Sequence, residues 1–154
     1  MDSIDYKILH CLKDNARQKA SAISEKIDLS VSSVIDRIRK METNGIIKKY
    51  SVVVDQKALG NDLTILMDVS LESPKYFDEF TQMVQENDKI VSCYYLTGNF
   101  DFMLKIITDS ADSVELIHRQ IMCMDGVSAT QTHLVVKNVK NEFSYIPNVT
   151  SVKK

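Results

Sequence analysis

The sequence predicts an α+β protein in two parts: three helices with an extended segment, then the order strand, helix, strand, strand, helix, strand. Three observations predict it. Apolar residues recur at helical spacing behind capping residues through the first 45 positions. Leu63 to Leu71 alternates with period two over nine residues. Beyond it, two capped amphipathic stretches are separated by shorter β-like runs joined by a Gly-containing turn.

The first helix starts from Asp2, with Asp5 at the capping-box position, and runs to about Asp14 with Ile4, Ile8, Leu9 and Leu12 as its inner stripe. Asn15 to Gln18 is a polar break. A second helix, Ala20 to Ile27, buries Ile23 and Ile27, although Lys19 is a poor cap. Ile27-Asp28-Leu29-Ser30 has the length of the tight turn in a helix-turn-helix, with Asp28 where Gly is common.

The third helix is capped by Ser30 and buries Val31, Val34, Ile35, Ile38 and Met41. Asn44-Gly45 ends it. An extended Ile46 to Asp55 completes a winged helix-turn-helix pattern, and Gly60-Asn61-Asp62 is a turn cluster that separates the two parts.

In the second part Leu63, Ile65, Met67, Val69 and Leu71 share one strand face. Ser73-Pro74 opens a helix that buries Phe77, Phe80 and Val84 and ends near Asn87. Strands follow at Ile90 to Leu96 and Phe102 to Ile107, with Thr97-Gly98-Asn99-Phe100-Asp101 between them. Ser110 caps a helix with Val114, Ile117, Ile121 and Met124 inward, and a last strand runs from about Val127 to Val139. This is the ferredoxin-like βαββαβ order, in which both helices cover the same sheet face.

The other sheet face is predicted to carry Leu66, Tyr95, Met103 and Ile107. Leaving these in water is costly at about 25 cal/mol per Å². A second subunit covering that face is the economical solution, so a dimer at least is expected.

The predicted parts are a winged helix-turn-helix domain at 1–49, a linker strand and hinge at 50–62, a ferredoxin-like oligomerisation domain at 63–140, and a tail at 141–154. A hydrophobic content of 44% and a charged content of 26% are those of a globular chain. No leader-like start or long apolar run is present, which predicts a cytoplasmic protein without a membrane segment. Cys11, Cys93 and Cys123 are odd in number and widely spaced, so they read as reduced thiols. Asn148-Val149-Thr150 matches a glycosylation acceptor, to which the absent secretion signal gives no weight.

Net charge is −2 but unevenly divided: residues 1–49 hold 10 basic and 7 acidic side chains, whereas 50–154 hold 9 and 14. The balance suits a basic binding module joined to an acidic one. On the third helix the outer side presents Ser32, Ser33, Asp36, Lys40 and Thr43, with Arg37 and Arg39 on its flanks. Most charged helix faces are only solvated. Behind a helix and a tight turn, however, small hydroxyls that permit approach to base edges and cations that reach phosphates point to double-stranded DNA. The expected DNA-binding residues are Ser30 at the start of the helix, Ser32, Ser33 and Asp36 toward bases, and Arg37, Lys40, Lys48 and Lys49 toward phosphates. Asp36 either accepts from a cytosine amine or orients Lys40 one turn later.

An enzyme would have to use His118, His133, Cys93 or Asp101, which form no metal-ligand spacing, phosphate loop or nucleophile elbow. No enzyme activity, metal or cofactor is expected.

The chain resembles the Lrp/AsnC family of transcription regulators, also called feast/famine regulatory proteins, across about Met1 to Lys140. The motifs are Asp2-x-x-Asp5-x-x-Ile8-Leu9, Ala16-Arg17, Leu29-Ser30, Arg37-Ile38, Glu42 and Gly45-Ile46-Ile47 in the first part. In the second they are Thr97-Gly98-x-x-Asp101-Phe102 and Gly126-Val127 followed by Thr130-x-Thr132. The resemblance implies an N-terminal helix-turn-helix, a C-terminal RAM domain, and a cytoplasmic, nucleoid-associated regulator. It also implies homodimers assembling to tetramers or octamers, and an amino-acid effector between dimers. Carried over, the effector residues are Thr97, Gly98, Asn99, Asp101, Thr130 and Thr132. Asp101 suits an α-ammonium, and Gly98 lets backbone approach a ligand. A Gly-x-x-Asp turn is also an ordinary hairpin. The effector's identity is open, and the alternative is an architectural DNA-wrapping protein that needs no ligand.

Overall fold

A computed structural model describes residues 1–148; Val149 and Thr150 of the tripeptide above, and Lys153-Lys154, lie outside the described residues. The chain divides into two compact units, one of residues 1–53 with residues 140–148, the other of residues 54–139.

In the first unit, α1 is Ser3–Asp14, α2 Ala20–Ile27 and α3 Val31–Thr43. The capping box of α1 forms as its sequence requires: Asp2 Oδ1 accepts the N–H groups of Ile4 and Asp5, and Asp5 Oδ2 accepts that of Asp2. Lys19 provides no side-chain cap to α2. Asp28 closes α2 in the left-handed conformation, φ 54°, which Asp tolerates better than most residues.

Ile8, Ile23, Val34 and Met41 are the buried centre, one or two from each helix, with Ile4, Leu12, Ile27 and Ile38 packed around them. Val31, expected inside, is exposed, because it occupies the first residue of α3, beyond the reach of that cluster. After Gly45 (φ 69°) the N–H groups of Ile46 and Ile47 both return to the Met41 carbonyl. Residues 48–55 run on without strand pairing, so the extended segment expected there forms no ladder among the described residues. Residues 140–148 belong with this unit: Lys13 pairs with Glu142, and His10 Nε2 meets the Pro147 carbonyl oxygen at 3.1 Å.

The second unit is an antiparallel sheet in the order β2-β3-β1-β4. Its strands are β1 Leu63–Leu71, β2 Ile90–Tyr95, β3 Phe102–Thr108 and β4 Val127–Leu134, and its helices are α4 Phe77–Glu86 and α5 Ala111–Met122. A 3₁₀ turn, Pro74–Tyr76, precedes α4, with Ser73 as its cap. Ile65, Met67 and Val69 of β1 and Phe102, Leu104 and Ile106 of β3 meet Phe80, Val84, Ile117 and Ile121 from the helices. Met124 packs against this core from beyond the end of α5, not from within it. Phe77 stands at the rim, its ring 5.3 Å from Tyr95 and 5.5 Å from Phe102.

Two strands depart from expectation. The register of β2 shifts between Ile90 and Ser92, which reverses the alternation beyond it. Tyr95 therefore pairs with Phe102 on the helix-covered side, and Tyr94, opposite Met103, takes the place on the open face that Tyr95 was expected to hold. β4 stops at Leu134, short of Val139, where β1 nears its own start at Leu63; the last link between them is the Val135 N–H to the Thr64 carbonyl. The open face still carries Leu66, Met103 and Ile107, with Asp68, Lys105 and His133 among them.

Candidate nucleic-acid and ligand sites

The buried stripe of α3 fixes which side chains face outward. With Val34 and Met41 inside, Ser32, Asp36, Arg39, Lys40 and Thr43 are exposed. Ser30 Oγ accepts the Ser33 N–H at 3.2 Å and lies 2.7 Å from Ser33 Oγ and 3.2 Å from Ser32 Oγ. The three hydroxyls thus form one small polar tip at the positive end of the helix. Lys48 and Lys49 are exposed on the segment that follows Gly45.

Arg37 differs from these. Its Nη1 donates to Asp2 Oδ2 at 2.8 Å and to Asp5 Oδ1 at 2.7 Å, so it is turned toward the start of α1. The Asp5 N–H, the Ile4 N–H and Arg37 together hold the Asp2 carboxyl below its ordinary range, the Asp5 N–H being the largest influence. No local pattern signals this pairing, because the partners are 35 and 32 residues away. Arg39, which sequence reasoning placed only on a flank, has no side-chain hydrogen-bond or ion-pair partner among the described residues.

At the second candidate site, Gly98 has φ 138° with open space around it, and Asn99 accepts a hydrogen bond from Ser70 Oγ through its backbone carbonyl. Asp101 is anchored: its N–H donates to the Val69 carbonyl and its Oδ2 accepts the Leu71 N–H at 2.7 Å. That acceptor serves the place where the β1–β4 register slips between Ser70 and Leu71. Thr130 pairs with Val69 and Thr132 with Met67, so both sit on the helix side of β4. Thr130 Oγ1 donates to Met122 Sδ and lies 3.0 Å from His118 Nε2. The topology brings the turn and Thr130 to one end of the sheet; Thr132 is two residues further along, and exposed. Two shallow depressions, one along α4 beside Asp78 and Gln82 and one between Met83 and Leu116, are lined by no residue of this turn.

The side chains an enzyme would need are dispersed. His118 is held by Thr130, His133 Nε2 lies 3.1 Å from Asp68 Oδ2, and burial pushes the Cys93 thiol up, away from thiolate.

Comparison with known proteins gives a consistent result. Residues 1–48 match a family model for winged helix-turn-helix DNA-binding domains, and residues 64–145 match the Lrp/AsnC ligand binding domain. The regulatory protein AsnC of Haemophilus influenzae is 30% identical over 139 residues, 90% of this chain and 93% of its own. The leucine-responsive regulatory protein of the same organism is 29% identical, over 91% of this chain and 86% of its own. Among solved structures, a transcriptional regulator from Neisseria meningitidis in complex with L-Met superposes with a TM-score of 0.90 at 25% identity, covering 94% of this chain and 96% of the other. AsnC of Escherichia coli superposes with a TM-score of 0.87 at 26% identity, over 96% and 99%.

Proposed function

The chain belongs to the Lrp/AsnC family of transcription regulators, and from that premise we propose how it meets DNA and what modulates it. The DNA-reading element is α3. The observation that carries this is the division of its surface: Val34 and Met41 are sealed in the core while Ser32, Asp36, Arg39 and Lys40 all stand in solvent. Ser30, Ser32 and Ser33 are small enough for close approach to a groove, Asp36 orients Lys40, and Lys40, Lys48 and Lys49 neutralise phosphates.

A second copy covers the open sheet face at Leu66, Met103, Ile107 and Tyr94, and the resulting dimers assemble further to tetramers or octamers. Two-fold symmetry then makes the DNA site roughly palindromic, with half-sites about one helical turn or a multiple apart. Among the described residues no helix is long and apolar enough to cross a membrane. A cytoplasmic, nucleoid-associated protein is the reading that fits a DNA-binding regulator.

The effector is an amino acid, held by the Thr97-Gly98-Asn99 backbone, Asp101, Thr130 and Thr132 where dimers meet. Asp101 Oδ1 has no hydrogen-bond partner among the described residues and is the oxygen offered to an α-ammonium; Oδ2 stays with Leu71. The methionine complex of the Neisseria meningitidis regulator supports an amino-acid ligand and makes L-Met the first to try.

The test is a thermal-shift screen against the twenty amino acids, followed by DNA binding with any ligand found. A ligand at 100 times its dissociation constant adds about 2.7 kcal/mol of stability. One clear shift, lost in Asp101→Ala with DNA binding retained, is the expected result. No shift with any amino acid would move the reading to a ligand-independent organiser of DNA.

A further inference from the structure

The two arginines of α3 are two residues apart and have different surroundings. Successive helical residues turn by about 100°, so Arg37 lies about 60° around the helix from buried Val34 and Arg39 about 140° from it. Arg37 is on the shoulder of the core; Arg39 is on the outer surface.

The carboxylate oxygens around Arg37 are all taken. Asp2 Oδ1 is occupied by the N–H groups of Ile4 and Asp5, Asp5 Oδ2 by the N–H of Asp2, and the two remaining oxygens by the single nitrogen Nη1 of Arg37. The Asp5 side chain is only 14% exposed and that of Arg37 30%, so the pair is sheltered on one side by the helices it joins. A phosphate contact through Nη1 would cost Arg37 two charge-assisted hydrogen bonds, and one through its other nitrogens would bring the two carboxylates bound to Nη1 up to the DNA. Arg39 would give up nothing.

We infer that Arg37 is a positioning residue, which fixes α3 against the capped start of α1, and that Arg39 is the arginine of α3 that contacts a DNA phosphate. The inference rests on the reading of α3 as the DNA-reading helix. It gives the Asp2 and Asp5 carboxylates a role in DNA binding, although neither can attract a phosphate. It also makes the angle of α3 depend on the charge state of the α1 cap.

The experiment is the salt dependence of binding, measured by fluorescence anisotropy with a labelled duplex of mixed sequence and the full chain. In Arg39→Ala the slope of log affinity against log salt should fall by about 0.9 for each subunit bound. In Arg37→Ala the slope should stay at the wild-type value while affinity drops at every salt concentration. Arg37→Lys should recover most of that affinity, since the clamp uses one nitrogen. Asp5→Asn is the sharpest variant. Removing a negative charge near DNA would tighten binding if Arg37 were thereby freed to contact phosphate, whereas loss of the clamp weakens it.

Overturning results are a lower slope in Arg37→Ala, tighter binding by Asp5→Asn, or no change of affinity in either. Should Arg37→Ala fail to fold, Arg37→Lys and Asp5→Asn still decide. If Arg39→Ala and Lys40→Ala both keep the wild-type slope, the reading of α3 itself fails, an outcome distinct from a slope lost at Arg37 alone.

Discussion

The two units of this chain hold themselves together by different means. Among the described residues the sheet unit buries ten apolar side chains in one continuous cluster, while the three-helix unit has four, and completes itself with polar closures. Those closures are the Asp2–Asp5 box, the Arg37 clamp, the Tyr50 hydroxyl on Glu42 and the tail contacts at His10 and Lys13. A small core supplies only about 3–5 kcal/mol, so each polar link is a large fraction of the helical unit's margin. The unit that reads DNA is therefore the one whose geometry is most open to adjustment by charge.

The largest effect expected from this contrast comes from a matched pair of core truncations. Ile8→Ala and Leu104→Ala each remove a side chain that is 0% exposed, at a cost of about 2–5 kcal/mol. In the helical unit that is comparable to all it has. Hydrogen exchange should show amide protection lost across α1 to α3 in Ile8→Ala with β1 and β3 still protected. Leu104→Ala should lower the melting temperature of a sheet that remains folded. Joint loss of protection in both units would show a single cooperative structure and end the contrast.

A smaller effect is expected at a crowded glycine of the sheet unit. A Cβ on Gly126 would collide with the Tyr76 ring, at a backbone φ of 82°. Gly60 has nearly the same φ, 81°, with nothing within 4 Å. Gly126→Ala should cost about 1–3 kcal/mol more than Gly60→Ala in chemical denaturation, the difference being the overpacking term separated from backbone strain. Equal costs would mean that the Tyr76 ring swings aside freely.

The smallest effect concerns pH. Partial burial first, then the Glu42 carboxylate, push the Tyr50 phenol up to about 12. A raised value means that this contribution to folding is complete below the unfolded value of about 10 and disappears as pH climbs through about 12. Tyr50→Phe should remove a step at about 12 from the tyrosinate titration and slightly destabilise the helical unit at neutral pH. Loss of a step near 10 instead would place the Tyr50 hydroxyl in water.

What could be read from the sequence was what neighbours in sequence decide. The capping box of α1, the Ser30 and Ser110 caps and the alternation of Leu63 to Leu71 depend on residues a few positions apart, and the structure shows each of them. The face occupied by Tyr94 and Tyr95 depends on a register shift that only the β2–β3 ladder defines, so period-two counting assigned the wrong tyrosine to the open face. Arg37 has the composition of a phosphate contact, and only the approach of α1 reveals its partners. Asp101 likewise has the chemistry of a ligand residue, while its Oδ2 serves a backbone amide 30 residues away.

That last bond offers a clock. The Leu71 amide proton is held by a carboxylate oxygen rather than by a neighbouring strand, so its replacement by deuterium is timed by one side chain letting go. A single cross-peak, followed in heavy water with and without an added amino acid, then records how often the Thr97 to Asp101 turn opens. The measurement needs neither DNA nor a second variant.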